Sequence, residues 1–173
     1  MGKNVSSQDM NNRVRMTIGA QESQFVIGGR DNVIILPVGY ELISSRYFRH
    51  SPPTYDDIEY AINYIEDEIE RVAKDIPYDG YSLETDVGFI RNLARLSLSV
   101  PGLNGDDDSI TAAEQPHRFY RDDLERLFGR YAEIAAGRPA QSDEPDTSSV
   151  FFAQLLIFRE YMHHLKFGYI LIR

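Results

Sequence analysis

The sequence contains no cysteine. Disulfides, thiolate nucleophiles, thiolate zinc sites and iron–sulfur clusters are excluded together, so any chemistry has to run on carboxylates, histidines, hydroxyls or backbone groups. No apolar run approaches the ~18 residues that a membrane-spanning helix needs, and Met1 to Asn12 is polar with a single lysine. A cytoplasmic protein with no membrane partner is the expectation. Positive charge is also scarce: 18 lysines and arginines against 27 aspartates and glutamates leave a net charge of -9. Such a surface repels a phosphate backbone, so nucleic acid is not an expected partner, and long anionic substrates are opposed unless basic residues converge locally.

What is present is enough for one core. At 173 residues the chain can bury a single substantial hydrophobic interior and is too short for two ordinary domains. Residues 1–12 are expected to be disordered and 13–173 to form one domain. Val14, Met16 and Ile18 alternate with Arg13, Arg15 and Thr17, the period of a half-buried strand. Gln24–Ile27 and Val33–Leu36 flank Gly28-Gly29-Arg30-Asp31-Asn32, a hairpin signal. Strands are predicted near 13–19, 24–29 and 32–38 as an antiparallel meander, with an extended region that runs on to Pro52 and Pro53.

Thr54 and Asp57 have the spacing of a helix-start capping pair, and Ile58, Ile62, Ile65, Ile69 and Val72 then form one apolar stripe. A short strand is possible at Tyr81–Glu84, followed by a helix on Leu83, Val87, Ile90, Ala94 and Leu98. Pro101–Ser109, with three consecutive aspartates, reads as a mobile loop. Leu124, Leu127, Tyr131 and Ile134 mark a further helix, and Gln141–Thr147 a second polar loop. Phe151, Leu155, Phe158, Met162 and Leu165, widened by Phe152 and Leu156, predict a deeply buried helix, and Tyr169–Ile172 a last strand. The sheet is expected to be mixed, with five strands, or four if Tyr81–Glu84 stays irregular. Val33–Leu36 and Tyr169–Ile172 are apolar enough to be covered on both sides, which puts the Ile58–Val72 and Phe151–Leu165 helices on the two faces.

Leu36-Pro37-Val38-Gly39 through Arg46-Tyr47-Phe48-Arg49-His50-Ser51-Pro52-Pro53-Thr54 resembles a segment of the exopolyphosphatase and guanosine-pentaphosphate phosphatase family. There a Leu-Pro-hydrophobic-Gly strand end leads to an Arg-Phe-Phe stretch and a Pro-Pro-Ser/Thr helix start. Pro116 through Glu125, Phe152 through Leu165 and Tyr169 through Ile172 agree with the same family in order and spacing. The resemblance runs from about Arg13 to Arg173 and corresponds to the second of that family's two lobes only. It implies an α/β, ribonuclease-H-like fold of the actin-like ATPase superfamily: a single lobe with a mixed sheet, an antiparallel three-strand meander and flanking helices.

The family's lobe opens with Asp-Ile-Gly-Gly-Gly-Ser-Thr-Glu, whose glycines admit phosphate to backbone N–H groups. Here the aligned residues are Thr17-Ile18-Gly19-Ala20-Gln21-Glu22-Ser23-Gln24, which retain Gly19 and the Ser23 hydroxyl and add the negative charge of Glu22. The family's second loop, Gly-Thr-Gly-Gly-Thr, falls at Thr85-Asp86-Val87-Gly88-Phe89 and keeps Gly88. The resemblance therefore implies a degenerate phosphate site at Gly19, Ser23 and Gly88, no catalytic residue and no cofactor.

Outside that resemblance, Arg46, Arg49 and His50 could hold an anion, with pairing to Asp56 and Asp57 as the ordinary alternative. In the acidic run Glu66-Asp67-Glu68-Ile69-Glu70, Glu66 and Glu70 share a helical face. Glu160 and His163 have the i, i+3 spacing of carboxylate-bridged metal helices, whereas Glu114 and His117 are separated by Pro116. His163 and His164 beside Lys166 suit a helix C-terminus. A solvated surface is the preferred reading of the acidic run, and no metal site is assigned. The leading expectation is a non-catalytic interaction or regulatory module. The alternatives are a phosphohydrolase or polyphosphate- or nucleotide-phosphate-binding protein completed by a partner chain, and, more weakly, a metal-dependent hydrolase. Tyr47, Phe48, Tyr78, Tyr81 and Phe89, outside the clear core stripes, are candidate contacts for a homodimer or another protein.

Overall fold

The computed structural model describes residues 11–29, 32–98 and 117–173. The Pro101–Ser109 loop, Glu114 and residues 1–10 of the polar start lie outside the described residues. Strand β1 (Arg13–Ile18) buries Val14, Met16 and Ile18 on one face, as its alternation requires. It pairs antiparallel with β2 (Ser23–Ile27), and β2 with β3 (Val33–Leu36), which completes the meander. β1 also pairs in parallel with β4 (Ser82–Thr85), and β4 with β6 (Tyr169–Ile172). The described sheet has six strands in the order β3-β2-β1-β4-β6-β5, with β5 (His117–Tyr120) antiparallel at one edge. The last strand thus joins the meander's sheet, through the short strand expected at Tyr81–Glu84, which forms at Ser82–Thr85 and is central.

Two expectations are corrected. The sheet has a sixth strand, β5, whose four residues send only Phe119 into the core while Arg118 and Tyr120 stay exposed. β3 is an edge strand: Val33 and Ile35 are 51% and 54% exposed, so its apolar character does not mean cover on both sides.

The expectation of helices on the two faces is corrected as well: they gather on the one face that carries Val14, Met16, Phe25, Leu83 and Ile170, where they pack on one another. Helix α1 (Tyr40–Tyr47) follows β3, and α2 (Tyr55–Val72) begins at the Thr54–Asp57 capping box. α3 (Gly88–Leu98) follows β4, α4 (Arg121–Ala135) follows β5, and α5 (Ser149–His164) precedes β6. Leu83 and Val87 fall before α3, and Leu98 is exposed at its end. α5 is apolar nearly all round, the mark of an interior helix. It packs against α1, α2, α3 and α4, and Phe25 of the sheet meets Tyr161 edge-on at 5.0 Å.

Helix α1 replaces the expected extended run. The first N–H groups of a helix lack partners of their own, and here a neighbouring loop supplies them. Tyr40 N donates to Gly19 O (3.1 Å), and Glu41 N and Leu42 N to Ala20 O (2.9 and 3.1 Å). The approach is close enough that a Cβ on Gly39 would lie 2.4 Å from backbone atoms of Ala20 and Gln21. Gly88, by contrast, opens onto free space.

The Gln141–Thr147 loop is tied down by one buried carboxylate. Arg138 grips both oxygens of Glu144 (2.8 and 2.7 Å), Gln141 N donates to it (2.8 Å) and Arg130 approaches at 3.4 Å. The Arg138 hydrogen bonds outweigh burial and hold the Glu144 carboxyl at a pKa of about 2, below its ordinary 4.5. At α2, burial raises the Asp57 pKa, but hydrogen bonds from the His50 ring and from the Thr54 and His50 N–H groups bring it net below the ordinary value.

Two outcomes follow. Because its folded-state pKa is depressed, Glu144 stabilises the fold fully above pH ~4.5 and loses that contribution as the pH falls toward 2. Glu144→Gln should cost on the order of 3 kcal/mol at neutral pH, and urea titrations should find the gap to the unmodified protein closing below pH 4. Gly39→Ala should destabilise by about 2 kcal/mol or more, since backbone cannot yield cheaply. Gly88→Ala should be neutral or slightly stabilising, a contrast that thermal unfolding measures directly.

Candidate functional site

Parallel β1 and β4 send their following turns off the same end of the sheet. Gly19–Glu22 leads into β2 and Thr85–Val87 into α3, with the Thr85 hydroxyl donating to Met16 O (2.9 Å) and accepting from Val87 N (3.2 Å). The crevice beyond the carboxyl ends of such strands is where α/β sheets bind ligands. Both loops that the resemblance singles out are therefore brought to this one end.

Three features oppose an anion there. Neither turn contains a lysine or arginine, and the exposed carboxylates of Glu22, Glu41 and Asp86 flank them. Glu22 accepts from Gln24 (3.1 Å) and Glu41 from Gln21 (3.5 Å), while Arg15 approaches Asp86 at 4.0 Å. The N-terminal N–H groups of α1 are committed to Gly19 and Ala20, so the usual attraction of a helix start for phosphate is spent on the protein itself. Between the starts of α1 and α3, Tyr40 and Phe89 meet edge-to-face at 5.9 Å and close the gap.

The individual residues fall as follows. Gly19 N donates to Glu22 O (2.8 Å) within a tight turn. Ser23 is fully buried and donates to Val38 O (2.6 Å), tying β2 to the end of β3. The Tyr161 hydroxyl is buried beside it, and burial pushes its pKa up. Gly88 begins α3 and faces open space. Arg46 stacks on Tyr64 at 5.5 Å, Arg49 is exposed, and the His50 ring meets Asp57 (3.0 Å), the ordinary pairing. Sequence reasoning missed Gly39; its position directly after Val38 and before Tyr40, Ile43 and Tyr47 at helical spacing was the available signal.

Among acidic residues, Glu70 is exposed, whereas Glu66 meets Glu160 and His164 where α2 packs on α5. The i, i+3 pairing of Glu160 with His163 is corrected: His163 faces Glu125 (3.8 Å), and the imidazole at Glu160 is that of His164, one full turn on. His117 lies in β5. Of the aromatic contact candidates, Tyr47, Phe48, Tyr81 and Phe89 pack against the core and Tyr78 is exposed. On the open sheet face Val26, Val33 and Ile35 are exposed at the β3 edge, and Tyr120 at the β5 edge.

No protein-family profile matches the chain and no curated protein matches it. Solved structures do. The PPX-GPPA enzyme of Aquifex aeolicus is 18% identical with a TM-score of 0.67, over 96% of this chain and 55% of that one. The type II variant of the Ppx/GppA phosphatase from the same organism is 18% identical with a TM-score of 0.67, over 96% of this chain and 54% of that one. An exopolyphosphatase from Cytophaga hutchinsonii is 16% identical with a TM-score of 0.68, over 95% and 53%. The chain spans about half the length of these structures. At such identities the likeness is one of architecture, and the chain has a ribonuclease-H-like α/β fold.

Proposed function

We propose that this chain is a non-catalytic relative of the exopolyphosphatases that acts through protein contacts, as an interaction or regulatory module. The observation that carries this reading is the closed end of the sheet. Tyr40 and Phe89 meet between the starts of the two helices, and the turns and the start of the first helix carry the exposed carboxylates of Glu22, Glu41 and Asp86. Stabilising a transferring phosphoryl group needs preorganised donors or a metal at the developing charge; carboxylates and a spent helix start supply the opposite field. Polyphosphate, ATP and guanosine pentaphosphate with magnesium should therefore yield no phosphate above background with the purified chain. Release that Glu22→Gln abolishes would overturn the proposal.

The alternative is a phosphohydrolase, or a polyphosphate- or nucleotide-phosphate-binding protein, completed by a partner chain. It is favoured by the open space at Gly88 and by structural neighbours about twice as long. Phosphate-dependent shifts of the Gly88 and Phe89 amide signals would support that reading over the first.

Contact with another protein or a second copy has its physical basis in Val26, Val33 and Ile35, which adjoin one another across β2 and β3 on an exposed edge. An unpaired edge strand with apolar side chains favours pairing with another chain. Light scattering over a concentration series should reveal a two-fold species that Ile35→Lys dissociates. A monomer throughout, with no partner recovered, would remove the interaction role.

A further inference from the structure

The packing of α2 on α5 assembles a mixed nitrogen and oxygen donor set that neither the fold nor the closed sheet end explains. Ile65 and Ile69 of α2 are buried against the core, which brings the intervening Glu66 to the α2–α5 seam. Glu160 and His164 lie one turn apart on α5. His164 Nε2 is 3.0 Å from Glu160 Oε2 and 3.2 Å from Glu66 Oε1, and the three atoms lie within 4.8 Å of one another.

Two arguments make this more than a surface hydrogen-bond cluster. The first is donor count. A neutral imidazole carries one N–H, so Nε2 can satisfy one of the two carboxylates that converge on it. The second is charge. Glu160 is fully buried; its other oxygen accepts from Arg159 (2.8 Å), whose guanidinium also serves Glu125 (3.0 and 3.3 Å). Arg159 is thus shared by Glu125 and the buried Glu160, and Glu66 adds a third carboxylate on the His164 side of Glu160. Buried charge left uncompensated costs several kcal/mol, and a dication supplies the missing charge at the point where the donors meet.

We propose that Glu66, Glu160 and His164 form a binding site for a divalent transition-metal cation of the zinc class. Zinc–nitrogen and zinc–oxygen bonds of about 2.0–2.2 Å in a tetrahedron put ligand atoms about 3.3 Å apart, within a few tenths of the two spacings from Nε2. An imidazole with two carboxylates suits zinc, cobalt or nickel, whereas magnesium and calcium want all-oxygen sets. Entry is open: the side chains of His164 and Glu66 are 32% and 40% exposed. His164 also borders a groove of about 380 Å³ lined by Lys74, Tyr78 and Lys166. Arg159 holds Glu160 Oε1 and so leaves Oε2 pointed at the site.

The test uses the full chain without an affinity tag, stripped with chelator and titrated calorimetrically with zinc. Cobalt absorption serves as a second readout. One equivalent per chain should bind, unaffected by millimolar magnesium. His164→Ala and Glu66→Gln, both at partly exposed positions, should each weaken affinity at least tenfold. His163→Ala should change it less than twofold. Zinc should also shift the His164 ring signals and leave those of His50 in place. Absence of stoichiometric binding, binding that survives both substitutions, or loss caused by His163→Ala would overturn the assignment. So would a His164 ring that stays doubly protonated with zinc present, because a cationic imidazole then supplies the charge instead.

Discussion

At Gly39 the backbone of one element rests on the backbone of another. The turn after β1 presses on the residue that opens α1 so closely that a single methyl group has nowhere to go. From that contact the Gly19 and Ala20 carbonyls reach the first N–H groups of α1, and α1 in turn lies along α5. Ser23, bonded to Val38 a residue before the contact, locks the end of β3 to the same turn. Meander, first helix and central helix are thus held in one geometry by a seam of backbone polar groups rather than by side-chain volume. This seam also takes N–H donors that an open helix start would offer to a ligand, so the fold and any ligand compete for the same atoms.

Three of the four buried carboxylates among the described residues are glutamates paired with arginine, whereas Asp57 is held by the His50 ring and two N–H groups. Glu84 sits under Arg13 and Arg173, Glu144 in the fork of Arg138, and Glu160 between Arg159 and His164. In the first two, arginines outnumber or surround the carboxylate. Arg138 and Arg159 are each divided between two glutamates; the third site differs in having one arginine rather than two, with a further carboxylate, Glu66, converging on His164.

Elements whose pattern is local were legible in the residues alone. The two-residue alternation of Val14, Met16 and Ile18 and the stripe from Ile58 to Ile69 state their own faces, and Thr54–Asp57 marks its own helix start. Helix α1 was not legible, because its caps come from Gly19 and Ala20, some twenty residues upstream. β5 was hidden by its brevity, with a single side chain buried. Val33 and Ile35 misled for another reason: apolar side chains at an edge look like those of a covered strand until the sheet order is known. At the candidate sites the spacing of Glu160 to the following histidines was visible, but choosing His164 over His163 required the helix rotation, and adding Glu66 required the α2–α5 packing.

The central position of α5 and β6 bears on the order in which the molecule assembles. The meander can pair locally, yet its Phe25 finds Tyr161 only after some 120 further residues have joined the chain. β1 and β4 are fastened by a bond between Thr85 and Met16, 69 residues apart, and Arg173 returns to Glu84 across 89. Closing such wide loops costs entropy before any contact rewards it. During synthesis Met16, Phe25 and Ile27 therefore stay uncovered while the ribosome adds the rest, an interval in which a chaperone has apolar strand surface to hold.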